Sequence, residues 1–507
     1  MKNLLIYKKI LLLMVTCVFI ISCSKGSNNE SLEPIQSKTK YNEQSSDLKI
    51  FSDQWFGFYF KGNKLGYLHS IGARVSGGYM SKSYGVVSMQ TEPGISQQTS
   101  ISEQVYMDDN YNLTGFEYVL NAGENRISLT GSVDGKTMQT VIETGGKTEV
   151  SREDISGSLF SSVSFKIKAI REGIKPGVKY DGNVYFQPMK KIASMSFRVG
   201  NEGEIEISGK KLKAFPVYEE IGGFKSTSWV SANGDIIKEE SFEGFELIAD
   251  NENNAKRLDS TMHAGQFLKL AQVKTDKEIE EPSRVNTLKI QFCGLGNKAK
   301  IPERDYQAVS SEEYESGSGG KKSVTVEIVK PKIGTFKTLV LPITFYQQYL
   351  KPTQFIQSDN EKIKKIAADI SEKSGNDSVK FIRYGLEWQN DNIRTSMTEN
   401  FTALDTLKSG EGECQSNANL FSSIMRAGSV SCRIVTGIVY PEGGSGFMYH
   451  AWCEVYIGKW IAVDPTFKQF PADATHVILA DGDIFSQIGI INFIDNSGIK
   501  ILKVNYD

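Results

Sequence analysis

Three residues near the end of this 507-residue chain are of the types that together form an activated nucleophile. Cys414 comes first, His450 second and Asp464 third. A thiolate can attack a carbonyl carbon, an imidazole can take and return the proton, and a carboxylate can orient the imidazole. We therefore assign nucleophile, general base and orienting acid to these residues in that order.

Cys414 stands at the predicted start of a helix. It follows a loop rich in glycine and glutamate, and Ala418, Phe421 and Met425 continue along one helical face until Gly428 ends it. A helix N-terminus favours the thiolate form of a cysteine, because its backbone N–H groups and its dipole attract negative charge. The same N–H groups can stabilise an oxyanion.

His450 and Asp464 belong to a predicted hairpin whose register can be tested. His450 lies on its first strand, and Asp464 follows a second strand that begins at Trp460. Side chains alternate between the faces of a sheet, so a two-residue loop would place these two residues on opposite faces. A histidine–aspartate contact therefore predicts an odd loop or a bulge at Gly458, with Tyr456 opposite Trp460.

Five short motifs carry a resemblance to a known family. They are Gly412-x-Cys414, Arg426-Ala427-Gly428, Arg433-x-Val435-x-Gly437, His450-Ala451-Trp452-x-Glu454-Val455 and Trp460-x-x-x-Asp464-Pro465-Thr466. In this order and spacing, from about Asn360 to Lys500, the chain resembles the transglutaminase-like superfamily. The resemblance implies a papain-like fold, in which a helix bearing Cys414 packs on a sheet bearing His450 and Asp464. The departures are Ser429-Val430-Ser431, where members often have Ile-Pro-Ala, and Cys453, where valine is common.

These motifs do not identify a side-chain donor for the oxyanion. Trp388, Gln389 and Gln415 are candidates, and the backbone N–H of Cys414 is the favoured donor.

Four further side chains in this region are not assigned to the chemistry. His476 falls beyond the triad and is interpreted as structural. Glu454 is expected to face solvent or to pair with a nearby arginine. Cys432 and Cys453 lie on predicted neighbouring strands, where either a disulfide or a reduced, buried pair fits the sequence.

The N-terminus is typical of a targeting segment. Lysines precede a twelve-residue apolar run, Ile10 to Ile21, which is too short to span a bilayer as a helix. The sequence Ile20-Ile21-Ser22-Cys23 resembles the lipobox of bacterial lipoproteins. We therefore expect a signal peptide over residues 1–22, lipidation of Cys23, and a polar, flexible tether over residues 23–48.

The rest of the chain before the helices is typical of antiparallel β structure. Asp134-Gly135 and Asn233-Gly234 are hairpin-turn signals between alternating runs. Segments Ile174–Pro188 and Ile205–Tyr218 are similar to periplasmic open half-barrel domains of the lipoprotein-carrier type. The predicted fold class is α+β, with an N-terminal antiparallel β-rich domain, an open half-barrel, over 49–250, a β-rich extension or linker module over 251–348, and a papain-like, transglutaminase-like domain over 349–507.

Composition excludes several functions. A formal net charge of −2 gives no basic field to hold nucleic acid, and the sequence has no Gly-rich phosphate loop and no histidine cluster. We therefore expect no cofactor and no metal, and a protein or peptide as substrate.

The expected function is a membrane-anchored, extracytoplasmic cysteine enzyme, facing the periplasm or the cell surface, that acts on peptide or glutamine side-chain amides through a thioester. Hydrolysis is favoured over transamidation, and the N-terminal lipid is the only expected membrane contact. The alternative is a non-catalytic binding lipoprotein whose β-rich half captures a ligand or a protein partner.

Overall fold

A computed structural model describes residues 48–92, 95–187, 190–241, 244–258, 262, 272–296, 300–314, 321–335, 338–396, 400–482 and 498–507. The proposed signal peptide, Cys23 and the tether up to residue 47 lie outside these ranges. The chain divides into two compact units, and the division falls between Ala264 and Gly265. It therefore falls inside the segment predicted as an extension or linker.

The N-terminal unit is built on one large sheet, which has 16 strands among the residues described. The strands are β1 Lys49–Phe60, β2 Asn63–Val75, β3 Gly78–Glu92, β4 Ile95–Asp108, β5 Leu113–Ala122, β6 Asn125–Asp134, β7 Thr137–Thr144, β8 Lys147–Asp154, β9 Leu159–Ser161, β10 Lys179–Phe186, β11 Lys191–Val199, β12 Gly203–Ile207, β13 Lys210–Ile221, β14 Phe224–Val230, β15 Ile236–Ser241 and β16 Phe245–Asp250. They run in the order β8-β7-β6-β5-β4-β3-β2-β1-β16-β15-β14-β13-β11-β10-β9, with β12 added beside β13. All neighbours are antiparallel except β9 and β10.

The predicted turn signals lie where the strands reverse. Asp134 pairs with Thr137, which leaves Gly135 in the turn at φ 59°. Asn233 and Gly234 connect β14 to β15, and Gly234 has φ 90°. Positive φ is accessible to glycine at little steric cost, so these turns give the antiparallel order expected for a half-barrel sheet.

In the part of this unit that the structure describes, two short helices accompany the sheet, α1 Ser164–Glu172 and α2 Glu252–Lys256. Lys166 of α1 is buried and lies 2.6 Å from Glu219 and 2.9 Å from Glu239. A buried ammonium group needs such partners, and these carboxylates raise its pKa although burial opposes the charge.

Within its described residues, the C-terminal unit combines four helices with three small sheets. The helices are α3 Glu361–Ser374, α4 Ser378–Asn392, α5 Ala403–Ser409 and α6 Cys414–Ala427. The strands are β17 Val273–Lys274, β18 Val285–Gly296, β19 Gln307–Tyr314, β20 Lys321–Val329, β21 Arg394–Thr395, β22 Glu411–Gly412, β23 Cys432–Val439, β24 Gly446–Tyr456, β25 Trp460–Val463, β26 Val477–Asp481 and β27 Gly498–Tyr506. Single 3₁₀ turns occur at Pro282–Arg284 and Gln347–Tyr349.

The sheet that concerns the site has the order β17-β24-β23-β26, with β25 paired to β24. A second sheet, β19-β20-β18-β27, joins the segment before the helices to the end of the chain. Gly437 on β23 lies between His450 of β24 and Ile478 of β26. A Cβ atom at Gly437 would come within 1.9 Å of the carbonyl oxygen of Val477, so only glycine allows β26 to approach this closely.

The helices begin where the sequence places polar caps. The side chain of Asn360 accepts the N–H of Lys362 at the start of α3, and that of Asp377 accepts two N–H groups at the start of α4. Ile363, Ala367 and Ile370 of α3 are buried, as their spacing predicts. The α+β class, with its β-rich N-terminal part, is therefore confirmed. No helix within the described ranges is long and apolar enough to cross a membrane.

Candidate active site

Cys414 is the first residue of α6, as the sequence predicts, and its thiol is buried. The N-cap is Glu413, whose Oε2 accepts the N–H of Gln415 at 2.9 Å and whose Oε1 accepts the N–H of Ser416 at 2.9 Å. These two N–H groups were expected to stabilise a thiolate or an oxyanion. The structure corrects this expectation for these two groups, because the Glu413 carboxylate already accepts both. The favoured oxyanion donor, the backbone N–H of Cys414, is not one of them and stays a prediction.

The thiol itself also contacts this cap. Sγ of Cys414 donates to Oε2 of Glu413 at 3.3 Å. The carboxylate is fully buried and also accepts the hydroxyl of Ser416 at 2.5 Å. The sulfur is therefore hydrogen-bonded to a negatively charged helix cap, in a place where sequence reasoning expected only the positive end of a dipole.

The first turn of α6 is fixed to the loop that follows β25. Nδ2 of Asn417 donates to the carbonyl of Gly412 at 3.2 Å and to Oγ1 of Thr466 at 3.3 Å. Thr466 is two residues beyond Asp464. One turn further along the helix, the carbonyl of Ala418 accepts the thiol of Cys453 on β24 at 3.4 Å. The helix that carries the cysteine is thus held against both elements that carry the histidine and the aspartate.

The hairpin has the predicted register. Tyr456 pairs with Trp460 and Cys453 with Val463, which leaves a three-residue loop over 457–459. Gly458 in this loop has φ 106°. Side chains at 450 and 464 therefore lie on the same face as diagonal neighbours, and the prediction of an odd loop is confirmed.

His450 is joined to Asp464 as a catalytic base would be. Its Nε2 lies 2.6 Å from Oδ2 of Asp464, while its Nδ1 is buried and has no hydrogen-bond partner among the residues described. The ring stacks on Phe467 at 4.8 Å and on Trp452 at 5.8 Å. With Nε2–H donated to the carboxylate, Nδ1 carries the lone pair that can accept a proton.

Asp464 is fully buried, and four donors satisfy its carboxylate. Oδ1 accepts the N–H groups of Thr466 at 2.7 Å and Phe467 at 3.0 Å, and Oδ2 is shared between His450 and His476. Burial opposes ionisation, but the charges and hydrogen bonds of the two histidines outweigh it and lower the pKa of Asp464.

His476 is part of this network, which its position in the sequence did not reveal. Its Nε2 lies 2.9 Å from Oδ2 of Asp464, and its Nδ1 lies 3.2 Å from Oδ1 of Asp473. Burial alone would lower the pKa of His476, but Asp473 and Asp464 raise it to about 10. His476 and Asp473 were missed because a turn after Asp464 returns the chain to the site, and only the Asp-x-Thr-His sequence, a local turn signal, pointed to it.

His450, Asp464 and His476 are also close enough to be considered as cation ligands. Their ligand atoms all lie within 4.8 Å of one another. Nε2 of His450 and both nitrogens of His476 are directed at carboxylate oxygens, so the groups satisfy one another through hydrogen bonds. We interpret the cluster as a proton network and assign no metal ligand.

A cleft of about 640 Å³ lies beside this network. Phe467 lines it and stacks on His450, so one aromatic ring lies between the cleft and the imidazole. Charged residues of both signs, including Arg394, Glu442 and Lys468, surround its apolar part. A cleft of this volume is in the range of small-ligand sites, but neither Cys414 nor His450 lines it.

The amide groups of the two glutamines proposed as oxyanion donors already donate hydrogen bonds within the protein. Nε2 of Gln389 donates to the carbonyl of Asn417 at 3.0 Å, and Nε2 of Gln415 donates to Asn419 at 3.0 Å. Trp388 is half-buried on α4. The indole N–H of Trp452, on the strand of His450, is buried without a partner in the part of the chain described.

Burial and contacts decide between the alternatives that the sequence left open for Glu454, Cys432 and Cys453. Glu454 is fully buried, with Arg433 at 2.7 Å, Arg304 at 3.4 Å and the hydroxyl of Tyr306 at 2.9 Å, so the expected arginine pairing is confirmed. Cys432 and Cys453 are both buried, and no disulfide bond joins them. The structure therefore has the reduced pair.

Comparison with known families identifies the domain that carries these residues. Residues 353–465 match the sequence model of the Transglutaminase-like superfamily. Among solved structures, the chain is similar to a candidate cysteine protease from Cytophaga hutchinsonii, at 19% identity and a TM-score of 0.30, covering 44% of this chain and 90% of that one. It is also similar to a β-barrel-like protein from Brucella abortus, at 10% identity and a TM-score of 0.30, covering 39% of this chain and 94% of that one. No curated protein matches the chain. Residues 353–465, which include Cys414, His450 and Asp464, therefore form a transglutaminase-like domain.

Proposed function

We propose that this chain is a cysteine enzyme that acts on peptide or glutamine side-chain amides through a thioester. The observation that carries the proposal is the state of His450, whose Nε2 lies 2.6 Å from Asp464 while Nδ1 is left without a partner. That arrangement suits a base that takes a proton from a thiol. Cys414, the nucleophile of the proposal, begins the helix that is tied to Thr466 beside Asp464.

The proposed reaction follows from these roles. The thiol proton of Cys414 passes to Nδ1 of His450 as sulfur attacks the amide carbonyl carbon. The tetrahedral intermediate collapses, the C–N bond breaks, and the departing amine takes the proton from His450. A thioester remains on Cys414. Asp464 keeps the imidazole oriented and stabilises its charged form.

The second half of the reaction depends on the acceptor. Water attacks the thioester, loses a proton to His450, and releases a carboxylic acid and the thiol. A lysine amine in place of water would give a cross-linked product. We favour hydrolysis, in line with the resemblance to bacterial members of the family, and we expect a protein or peptide as substrate.

The products of the reaction distinguish hydrolysis from cross-linking. The full chain is incubated with a mixture of peptides that contain glutamine and lysine, and the products are identified by mass spectrometry. We expect peptide fragments or deamidated glutamine, no isopeptide-linked pairs, and no product from Cys414→Ala. Cys293→Ala is the matched control, because Cys293 is a half-buried cysteine on β18. Equal product from wild type and Cys414→Ala would refute the proposal, and a chain that forms no product but retains a ligand would favour the binding lipoprotein.

We also propose that lipid on Cys23 holds the enzyme at a membrane face outside the cytoplasm. The support is the sequence Ile20-Ile21-Ser22-Cys23 after a short apolar run. Labelling of cells with radioactive palmitate should mark the wild-type chain and not Cys23→Ala. Cys17→Ala is the control, because Cys17 lies inside the apolar run and should leave labelling unchanged.

A further inference from the structure

His476 and Asp473 extend the site beyond the three residues that the proposed chemistry requires. We propose that His476 is a positioning residue, held as an imidazolium between Asp473 and Asp464, which fixes the Asp464 carboxylate and offsets its negative charge at His450. This inference rests on the proposed function, because the pair that His476 serves is Cys414 and His450.

The geometry requires protons on both ring nitrogens. Nε2 of His476 faces Oδ2 of Asp464 at 2.9 Å, and Nδ1 faces Oδ1 of Asp473 at 3.2 Å and the carbonyl of Asp473 at 3.1 Å. All three oxygens are acceptors when the carboxylates are ionised, so a nitrogen lone pair pointed at either side would be repelled. A ring that donates on both sides carries a positive charge.

Asp473 is itself firmly held. Its Oδ2 accepts Nε2 of Gln469 at 2.7 Å, and its Oδ1 accepts the N–H of Thr475 at 2.8 Å and the Thr475 hydroxyl at 2.6 Å. Gln469 is also bonded through its backbone to Asp464, with both N–H···O distances at 2.9 Å. The loop from 464 to 476 is therefore closed on itself and presents His476 to the carboxylate in one orientation.

A cation at this place acts on the reacting pair through space. The ring centroids of His476 and His450 are 6.0 Å apart, and Trp452 and Phe467 pack against His476 at 5.2 and 5.9 Å, which limits screening by water. The titratable groups that face His476 are Asp464, Asp473 and His450. A positive charge favours loss of the thiol proton, so its removal should move thiolate formation to higher pH by about one unit.

Alkylation of Cys414 by iodoacetamide measures the pH dependence of thiolate formation without a substrate. The rate at Cys414 in the full chain is followed by peptide mass spectrometry as a function of pH, for wild type and His476→Gln. Glutamine can still donate to Asp464 but carries no charge. We expect the midpoint of the acid limb to rise by about one pH unit, and His69→Gln in the N-terminal unit should leave it unchanged.

The outcomes separate the two proposals. If Cys414 reacts no faster than Cys293 at any pH, the proposed function fails. If Cys414 is reactive but His476→Gln leaves the midpoint unmoved, only the role of His476 is overturned.

The protonation state of His476 can also be measured directly in the wild-type chain. The sequence has only 4 histidines, so selective ¹⁵N labelling of histidine gives a tractable spectrum. Both ring nitrogens of one histidine should have imidazolium shifts at pH 8, and Asp473→Asn should bring the titration of that ring toward neutral pH. A neutral His476 in the wild type at pH 8 would overturn the inference.

Discussion

The thiol of Cys414 donates a hydrogen bond to Oε2 of Glu413, the residue directly before it, at 3.3 Å. The same carboxylate caps α6 through the N–H groups of Gln415 and Ser416. One buried side chain therefore stabilises the helix and opposes the negative charge that the sulfur must acquire. Attack on a substrate requires the thiol hydrogen to turn from Glu413 toward His450.

Glu413→Gln should separate these two effects. Without the negative charge, thiolate formation at Cys414 is easier, and we expect alkylation by iodoacetamide at pH 7 to be several-fold faster. The helix loses part of its cap and a favourable charge–dipole interaction, which should cost about 1 kcal/mol of stability. Glu411→Gln, on β22 two residues before Glu413, is the matched control. Alkylation no faster than that of the control would show that Glu413 does not restrain the thiol.

The start of α6 could be predicted from the sequence, but its cap could not. The spacing of Ala418, Phe421 and Met425 locates the helix and the loop before it. Glutamate is not among the residues that favour the N-cap, so nothing in the sequence indicated that Glu413 would fold back onto two N–H groups. The expectation that the N–H groups of Gln415 and Ser416 would be available was wrong for that reason.

Asp464→Asn should abolish most activity without unfolding the domain. The amide can donate to Nε2 of His450, which would leave the proton on Nδ1 and remove the lone pair that accepts the thiol proton. We expect kcat on a peptide amide to fall by about 10³–10⁴-fold. Asp481→Asn, an exposed residue on β26, should retain activity, and near-normal turnover by Asp464→Asn would contradict the assigned role.

The hairpin loop offers a test of the register that joins His450 to Asp464. Gly458 has φ 106°, which an alanine adopts only with strain, so Gly458→Ala should cost about 1–3 kcal/mol. For a unit of this size each kcal/mol lowers Tm by about 2–4 °C. Activity per folded molecule should be unchanged, because the pairing of Tyr456 with Trp460 does not depend on the side chain at 458. Gly498→Ala, where a Cβ would meet no atom within 4 Å, is the control.

This register was predictable because the alternation of side chains leaves few choices once a contact is assumed. An odd loop was the simplest solution for residues 450 and 464, and the pairing of 456 with 460 confirms it. His476 was not predictable in this way. Its approach depends on the path of the loop over 464–476 and on the absence of a Cβ at Gly437, and neither follows from spacing along the chain.

The N-terminal unit contains a buried carboxyl group whose ionisation should limit stability. Burial raises the pKa of Glu103, on β4, to about 8. The folded state therefore binds more protons than the unfolded state between about pH 4.3 and 8, and stability falls as pH rises through that range. Glu103→Gln should raise the free energy of unfolding by about 2–4 kcal/mol at pH 8.5 and by little at pH 4. Thermal unfolding at both pH values, with exposed Glu149→Gln as the control, measures the effect; an equal gain at both would refute it.

His476 should make the C-terminal unit less stable as pH rises from neutral toward 10. Its pKa is raised to about 10, whereas an unfolded histidine titrates near 6.5, so its contribution is complete below about pH 6.5 and is lost as pH rises toward 10. Urea unfolding of wild type and His476→Gln is compared at pH 6, 8 and 10, in a Trp55→Phe, Trp229→Phe background that leaves the fluorescent tryptophans in the C-terminal unit. We expect the wild type to be more stable by a few kcal/mol at pH 6 and the difference to shrink steadily to pH 10. A difference that stays constant across this range would mean that His476 is bound to Asp464 and Asp473 as a neutral ring.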